Sequence, residues 1–268
     1  MAQELTTAEP LATLARHGPL GLFSDIDGTL APIVAVPGDA RVTQRCRQLL
    51  ADLRDAGVRV ALVTGRPLEM AQRMTNVDGV VYAANHGMSI WIDGRDETSE
   101  EVRRYGSLAQ SAYGEIIATP VPGTHVEVTG PNVALHYRQA DDAEAARDGL
   151  LAVVAASPSA WRFRVREGRK VIELRPPLEI DKGTAVLALA ARLEVRSILC
   201  LGDDQTDVDM FRVVESLRGG GVTAMTVAVR SNEAPDDVLG SADYWVDGVP
   251  GVEWVLAELV TVVSAGAP

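Results

Sequence analysis

Short runs of Val, Ile and Leu alternate along the chain with stretches whose apolar residues recur every three or four positions. Strands buried on both faces read as near-continuous apolar runs, so this alternation predicts strand–helix units and a parallel sheet. Core strands are expected at Leu20 to Ser24, Val58 to Val63, Val80 to Ala84, Ser197 to Leu201, Thr226 to Val229 and Tyr244 to Val246. Helices are expected over Val42 to Ala56, Pro67 to Met74, Gly183 to Leu193, Val208 to Leu217 and Gly251 to Val263. Gly57, Pro67 and the run Gly219, Gly220 and Gly221 punctuate these elements where helix ends should fall.

The pattern changes between Gly106 and Pro177. Apolar and polar residues alternate over Thr124 to Val128, Ala134 to Arg138, Arg162 to Arg166 and Lys170 to Leu174, as in a sheet with one wet face. Helical stretches over Leu108 to Ile117 and Ala143 to Ala155 precede the two strand pairs. The architecture expected is α/β: a doubly wound parallel-sheet core, Rossmann-like in layout, interrupted after its third strand by an α+β cap. The core takes residues 1–105 and 178–268 and the cap 106–177.

Composition narrows the possible partners. With 25 Lys+Arg against 37 Asp+Glu among 268 residues, the net charge is −12, which supplies no basic surface for nucleic acid or an anionic membrane. No uncharged apolar stretch approaches the length that crosses a bilayer, and the first residues lack the pattern of a signal peptide. A cytoplasmic protein is expected, monomeric or weakly homo-oligomeric. Cys46 and Cys200 both sit in apolar patterns and read as buried free thiols, and the four histidines lack zinc-ligand spacing. The segment ahead of Pro19 carries no chemistry that its residues point to.

In an open parallel sheet, reactive groups collect at the carboxyl ends of the strands. Asp25-Ile26-Asp27-Gly28-Thr29-Leu30 follows the first expected strand, Thr64-Gly65-Arg66 the second, and Gly202-Asp203-Asp204-Gln205-Thr206-Asp207 the fourth, while Asp181-Lys182-Gly183-Thr184 opens a helix. Singly, each reads as a solvated loop, a common turn or a helix cap. Jointly they suit phosphoryl transfer to a carboxylate. Asp25 would attack phosphorus, and Asp27 would protonate the leaving alkoxide and then take a proton from water. Asp25, the Asp27 carbonyl and Asp203 would hold Mg²⁺, while Thr64, the adjoining Gly65 N–H and Lys182 would hold the phosphoryl oxygens. No G-x-G-x-x-G follows any expected strand, so a dinucleotide site is not supported.

These motifs resemble those of the haloacid dehalogenase superfamily of aspartate-nucleophile phosphatases, and more narrowly the trehalose-6-phosphate phosphatases. The narrower resemblance rests on Phe23 to Ile33, Val63 to Pro67, Asn85-His86-Gly87, His136-Tyr137-Arg138, the run Gly168-Arg169-Lys170 to Pro176 leading to Lys182-Gly183, and Gly202 to Asp207. It implies Mg²⁺-dependent hydrolysis of trehalose 6-phosphate through an aspartyl phosphate, with the same roles for Asp25, Asp27, Thr64, Lys182 and Asp203. It further implies that Asp204 and Asp207 support the metal ligands, and that Arg66, His86, Gly87, Arg138 and Glu173 contact a phosphorylated sugar.

Two positions depart from the family pattern. Ser89 stands where H-G-x-E has Glu, and Val208 stands where Glu follows T-D in the fourth motif. They leave open another sugar phosphate or a glycoside such as mannosyl-3-phosphoglycerate. A non-catalytic sugar-phosphate sensor is disfavoured by the presence of both Asp25 and Asp27, since two extra negative charges do not help to bind an anion. Hinges for a closing cap are expected near Arg104 to Ser107 and near Pro176 to Ile180.

Overall fold

The computed structural model describes residues 2–34, 36–168, 170–231 and 236–266. Arg169, from the run quoted above, lies outside them. The chain divides into two units, Met1–Glu97 with Ile180–Pro268, and Thr98–Glu179.

The first unit opens on β1 (Gln3–Glu4) and α1 (Glu9–Ala15), whose Leu11 and Leu14 are buried. The core then follows as β2 (Leu20–Ser24), α2 (Gln44–Asp55), β3 (Arg59–Val63), α3 (Leu68–Thr75) and β4 (Val81–Ala84). A hairpin, β5 (Ser89–Ile92) and β6 (Arg95–Asp96), turns through Asp93-Gly94, both with positive φ (50° and 74°), as an Asp-Gly hairpin turn requires.

The second unit holds α4 (Glu100–Ile117), β7 (His125–Thr129), β8 (Asn132–His136), α5 (Ala143–Ala156), β9 (Arg164–Gly168) and β10 (Val171–Arg175). The first unit resumes with α6 (Lys182–Arg192), β11 (Ser197–Gly202), α7 (Asp207–Arg218), β12 (Thr223–Arg230), α8 (Asp236–Gly240), β13 (Tyr244–Asp247) and α9 (Gly248–Gly266).

The first unit's sheet runs β1-β13-β12-β11-β2-β3-β4-β5-β6, parallel from β1 to β4 and antiparallel through β5 and β6. Its strands alternate sides. Leu22, Leu62, Leu199 and Leu201 pack against apolar residues of α1, α2, α3 and α9, while Phe23, Val63, Ile198 and Cys200 pack against α6, α7 and α8. Both faces are thus covered, which explains the near-continuous apolar strand sequences. Cys46 and Cys200 are buried free thiols, and burial pushes the Cys46 thiol up to about 11. Val208 is a member of the α6–α7 apolar cluster, so this position packs.

Helix α9 is long and apolar enough to cross a membrane, but Val252, Val255, Leu256 and Leu259 on it are buried in the core, and Glu253 and Glu258 interrupt it. The second unit's sheet, β7-β8-β10-β9, is antiparallel throughout and packs Val133, Leu135, Ile172 and Leu174 against α4 and α5. The unit begins at Thr98, ahead of the expected 106, because α4 is one uninterrupted helix whose first turn is capped by Ser99 Oγ accepting from Val102 N. The segment Arg104 to Ser107, expected as a hinge, therefore lies inside a helix, and the second crossing falls between Glu179 and Ile180, where 177/178 was expected.

Thr43 ties two core helices together: its Oγ1 accepts from Cys46 N at the start of α2 and donates to Glu253 on α9 at 2.6 Å. Thr43→Ala removes a cap and a charge-assisted bond at once, and should lower the unfolding free energy by about 1–2 kcal/mol. Urea denaturation followed by circular dichroism measures this; an unchanged midpoint would contradict it.

Candidate active site

The sheet reverses its direction of growth between β2 and β11: the chain proceeds from β2 to β3 and β4 on one side, and from β11 to β12 and β13 on the other. The crevice at the carboxyl ends of such a pair is the natural site of an open α/β sheet. Asp25 N donates to Leu201 O at 3.0 Å, so Asp25 continues the ladder one residue beyond β2, and Asp203 follows the last residue of β11. Gly28, with φ +77°, lets the intervening loop close over this point. A Cβ on it would fall 2.0 Å from Asp203 Oδ2, so no other residue fits without displacing that carboxylate.

Among the described residues, the only buried charged side chains are Asp25, Lys182, Asp203 and Asp207, and all four belong to this site. Lys182 Nζ lies 3.0 Å from Asp25 Oδ1 and 2.8 Å from Asp207 Oδ1, with Asp204 Oδ1 at 4.0 Å. It is the first residue of α6, where the Asp181 side chain accepts from Thr184 N and the Thr184 hydroxyl answers to the Asp181 backbone. This capping box fixes the helix start and with it the lysine stem.

Asp207 is fully engaged. Its Oδ1 accepts from Lys182, and its Oδ2 accepts from the backbone N–H of Asp203 (2.8 Å) and Asp204 (3.0 Å). It therefore shapes the β11–α7 loop. Asp204 Oδ1 accepts from Thr206 N, Thr206 Oγ1 and Asp207 N. Thr29 Oγ1 donates to Asp203 Oδ1 at 3.1 Å, a contact that its place inside Asp25 to Leu30 made discoverable.

Electrostatics follow from burial. Three buried carboxylates face one buried ammonium. Burial raises the Asp25 carboxyl well above its ordinary 3.8, against the pull of Lys182 and with the push of Asp207 and Asp203. Burial, then Asp207 and Asp204, raises Asp203 to about 7. Asp207 is also raised, chiefly by burial. Burial works against the charge on Asp204 too, but Lys182 and the Thr206 donors outweigh it and hold that carboxyl low. For Lys182, burial opposes the ammonium and the surrounding carboxylates overcome it, so its pKa is raised.

One oxygen from each of Asp25, Asp203 and Asp207 lies within 4.8 Å of the others. An all-oxygen, buried, anionic donor set suits a hard divalent cation. By spacing alone, Asp207 takes the third place that the sequence assigns to the Asp27 carbonyl. The contacts of Asp207 with Lys182 and two amides suit a supporting place for it.

At the rim, Arg66 grips the Asp27 carboxylate at two points, Nε to Oδ2 at 2.8 Å and Nη2 to Oδ1 at 2.6 Å, with both side chains about one-fifth to one-quarter exposed. Thr64, buried after β3, accepts from Arg66 N at 3.1 Å. The loop after β4 joins this group through Asn85 N to Arg66 O and His86 N to Thr64 O, both 2.9 Å. Asn85 and His86 have positive φ (51° and 57°), a strained backbone of the kind that collects at functional sites, and Gly87 (96°) continues the turn without strain. Gly65 allows the close approach of His86, whose ring carbon would lie 2.7 Å from a Cβ there. Ser89 accepts from Asn85 Nδ2 at 2.9 Å, while Asn85 Oδ1 is buried without a hydrogen-bond partner. Asn85 opens the Asn85-His86-Gly87 motif, and its orphaned acceptor adds a polar group to this loop that the motif alone does not reveal.

Asp25, Asp27, Thr64, Gly65, Arg66, His86, Gly87, Lys182, Asp203, Asp204 and Asp207 all lie in the first unit. Arg138 and Glu173 lie in the second. Arg138 is exposed in a turn beyond the end of β8, and Glu173 on β10 pairs along its own strand with Arg175 at 2.7 Å.

The family model for trehalose-phosphatases matches residues 23–249. A trehalose-phosphate phosphatase of Mycobacterium avium is 35% identical over 227 residues, which cover 80% of this chain and 56% of that protein. A probable trehalose-phosphate phosphatase of Oryza sativa is 30% identical over 244 residues, 80% of this chain and 64% of that one. The chain thus spans somewhat over half the length of these relatives. Among solved structures, the C-terminal domain of Candida albicans trehalose-6-phosphate phosphatase superposes with a TM-score of 0.68 at 20% identity, covering 97% of this chain and 98% of that one. A trehalose-6-phosphate phosphatase related protein gives 0.72 at 22% identity, over 92% of this chain and all of the other. The fold is therefore that of these phosphatases, and the match over residues 23–249 establishes that the chain belongs to the trehalose-phosphatase family.

Proposed function

We propose that the protein hydrolyses trehalose 6-phosphate to trehalose and phosphate, with Asp25 as nucleophile. The observation that carries this reading is that the buried charges among the described residues all converge on Asp25 at the sheet's switch point, in a chain of this family. A binding pocket for a phosphate dianion alone would not gather three buried carboxylates; a site that makes and breaks a phosphoryl bond has use for them.

In the first step an Asp25 oxygen attacks phosphorus and the ester P–O bond breaks, leaving an aspartyl phosphate and an alkoxide that takes a proton from Asp27. In the second step Asp27 takes a proton from water, the oxygen of which attacks phosphorus, and Asp25 departs as carboxylate. Asp25, Asp203 and the Asp27 carbonyl would hold Mg²⁺. The ion, when bound, neutralises the charge that Asp25 and a phosphate dianion bring together. Lys182 holds Asp25 in place and, with Thr64 and the Gly65 N–H, serves the non-reacting oxygens.

Arg66, assigned to the substrate, also grips Asp27. Both Asp27 oxygens accept from Arg66, so Asp27 must leave that grip to reach the leaving oxygen. His86, Gly87, Arg138 and Glu173 are assigned to the sugar, with Asp204 and Asp207 supporting the metal ligands. The proposal places the enzyme in the cytoplasm as a monomer or weak homo-oligomer, without nucleic-acid or membrane partners. Ser89, bonded to Asn85 where a carboxylate is usual, favours a second reading in which the sugar differs.

Phosphate release from trehalose 6-phosphate, glucose 6-phosphate and mannosyl-3-phosphoglycerate, with Mg²⁺ and with chelator, separates these readings. Selective, Mg²⁺-dependent release from trehalose 6-phosphate is expected, abolished in Asp25→Asn. In Asp27→Asn it should be slowed by about 100-fold or more, with a smaller loss on an aryl phosphate whose leaving group needs no proton. Selective turnover of another substrate would move the sugar assignment, and no turnover of any would support a sensor.

The raised carboxyls also give a pH signature. A carboxyl whose folded pKa exceeds its unfolded value binds more protons when folded, so its contribution to stability is lost as pH rises between the two. For Asp203 that window runs from about 3.8 to about 7. Without divalent cation, thermal stability should fall as pH rises through this range, and added Mg²⁺ should raise Tm more at pH 8 than at pH 5. A Mg²⁺ effect that does not vary with pH would contradict the proposed role of Asp203.

A further inference from the structure

In the first unit, the turn from Asn85 to Met88 joins β4 to β5, whose register sets Ala84 opposite Ser89. It lies between the two segments assigned to the phosphoryl oxygens. On one side Asn85 N donates to Arg66 O and His86 N to Thr64 O, both at 2.9 Å, and the His86 ring rests on Gly65, where a Cβ would meet its Cε1 at 2.7 Å. On the other side Gly87 rests on the first turn of α6. A Cβ there would fall 2.7 Å from Ala185 Cβ and 2.8 Å from Asp181 O, the residue that directly precedes Lys182.

One side chain closes this turn. Asn85 is 3% exposed, and its Nδ2 donates to Ser89 Oγ at 2.9 Å, while its backbone O accepts from Met88 N at 3.3 Å. Asn enters the left-handed region more readily than most residues, which suits its φ of 51°. Its Oδ1, however, is buried with no hydrogen-bond partner. Such atoms are rare and cost stability, so each calls for a reason. Among the described residues Thr75, Asn132 and Ser197 also carry one, but they lie at the end of α3, in the second unit and at the start of β11, away from the carboxyl ends of the strands. Asn85 is bonded to the site itself.

We propose, on the assignment of Thr64, Gly65 and Lys182 to the phosphoryl oxygens, that Asn85 is a positioning residue for the phosphoryl group. Paired with Ser89, it holds the turn that sets Thr64 and Gly65 on one side and the start of α6 on the other. A turn that only joined two strands would not need a buried amide: the next one, Asp93-Gly94, is exposed and closes without one. Without the Asn85–Ser89 bond the turn is free to draw away from Gly65 and from Asp181, and the donors beside them shift. Phosphoryl transfer tolerates little such displacement, because an error of about 1 Å in placing the reacting groups costs about 100-fold in rate.

Kinetics on trehalose 6-phosphate and on p-nitrophenyl phosphate, with Asn85→Gly, Ser89→Ala and the double variant, test the proposal. Glycine keeps the left-handed backbone and removes the side chain, so Asn85→Gly deletes the pair and leaves the turn. In both single variants kcat should fall about tenfold or more on both substrates, and the double variant should lose no more than the worse single one. The inhibition constant of inorganic phosphate, which a smaller fraction of folded molecules would not change, should rise about tenfold. Ser89→Thr, which keeps the hydroxyl, should retain most of the rate. Should Asn85→Gly fail to fold by circular dichroism, Ser89→Ala carries the test.

The aryl phosphate reads the phosphoryl end alone, so the result stands even where the natural sugar differs from trehalose. A loss confined to trehalose 6-phosphate would give the pair to the sugar and overturn the proposal. An unchanged inhibition constant for phosphate in both single variants would also overturn it, and an unmutated chain that hydrolyses neither substrate would overturn it together with the proposed function.

Discussion

A single ammonium group inside a nest of carboxylates is the contact on which the site depends. Lys182 is almost fully buried and spans Asp25 and Asp207 at 3.0 and 2.8 Å. An isolated buried charge is heavily penalised, and removing one partner of a buried pair costs about 3–5 kcal/mol, so these residues are tolerated only together. The arrangement ties three segments distant in sequence, the end of β2, the start of α6 and the start of α7, to one point. It also sets more negative than positive charge around Asp25, which a divalent cation would relieve. Structure and chemistry are thus linked at one place: the repulsion among these carboxylates is what would drive them to bind a cation.

Around that point the backbone supplies what side chains do not. Asp207 spends one oxygen on Lys182 and the other on the amides of Asp203 and Asp204, which holds the loop after β11 in the shape that turns Asp203 toward Asp25. Gly28 leaves the room that Asp203 occupies. Arg66 fastens Asp27 at the rim, so Asp25 is fixed by a buried lysine and the neighbouring carboxylate by a half-buried arginine. The burial difference suits the roles proposed: Asp25 must not move, whereas Asp27 has to exchange a proton and therefore to change partners.

Much of this arrangement is legible in the amino-acid sequence itself. The two-sided burial of β2, β3 and β11 leaves runs such as Ile198-Leu199-Cys200-Leu201 that admit few other readings, and the loops after them carry Asp25, Thr64 and Asp203 in order. The features that the sequence hides lie where local pattern is weak. The strand β1 has only two residues, and α1 begins at Glu9-Pro10 without an apolar stripe long enough to stand out. The β5–β6 hairpin has a signal in Asp93-Gly94, but strands of four and two residues are too short for alternation to register. Helix α4 starts earlier than its pattern suggests because its first two turns, Glu100 to Gly106, carry a single buried residue, Val102. The Arg66 contact is obscured for another reason: Thr-Gly-Arg says that an arginine reaches the rim, and only the fold decides that Asp27 stands within its span.

The central claim, that Asp25 is the group that takes the phosphoryl, is tested most directly by rapid acid quench of the enzyme turning over trehalose 6-phosphate, followed by peptide mass spectrometry. The account predicts a phosphoryl group on the peptide carrying Asp25, appearing before free phosphate and absent in Asp25→Asn. Full turnover with no phosphorylated Asp25 at any quench time would contradict it.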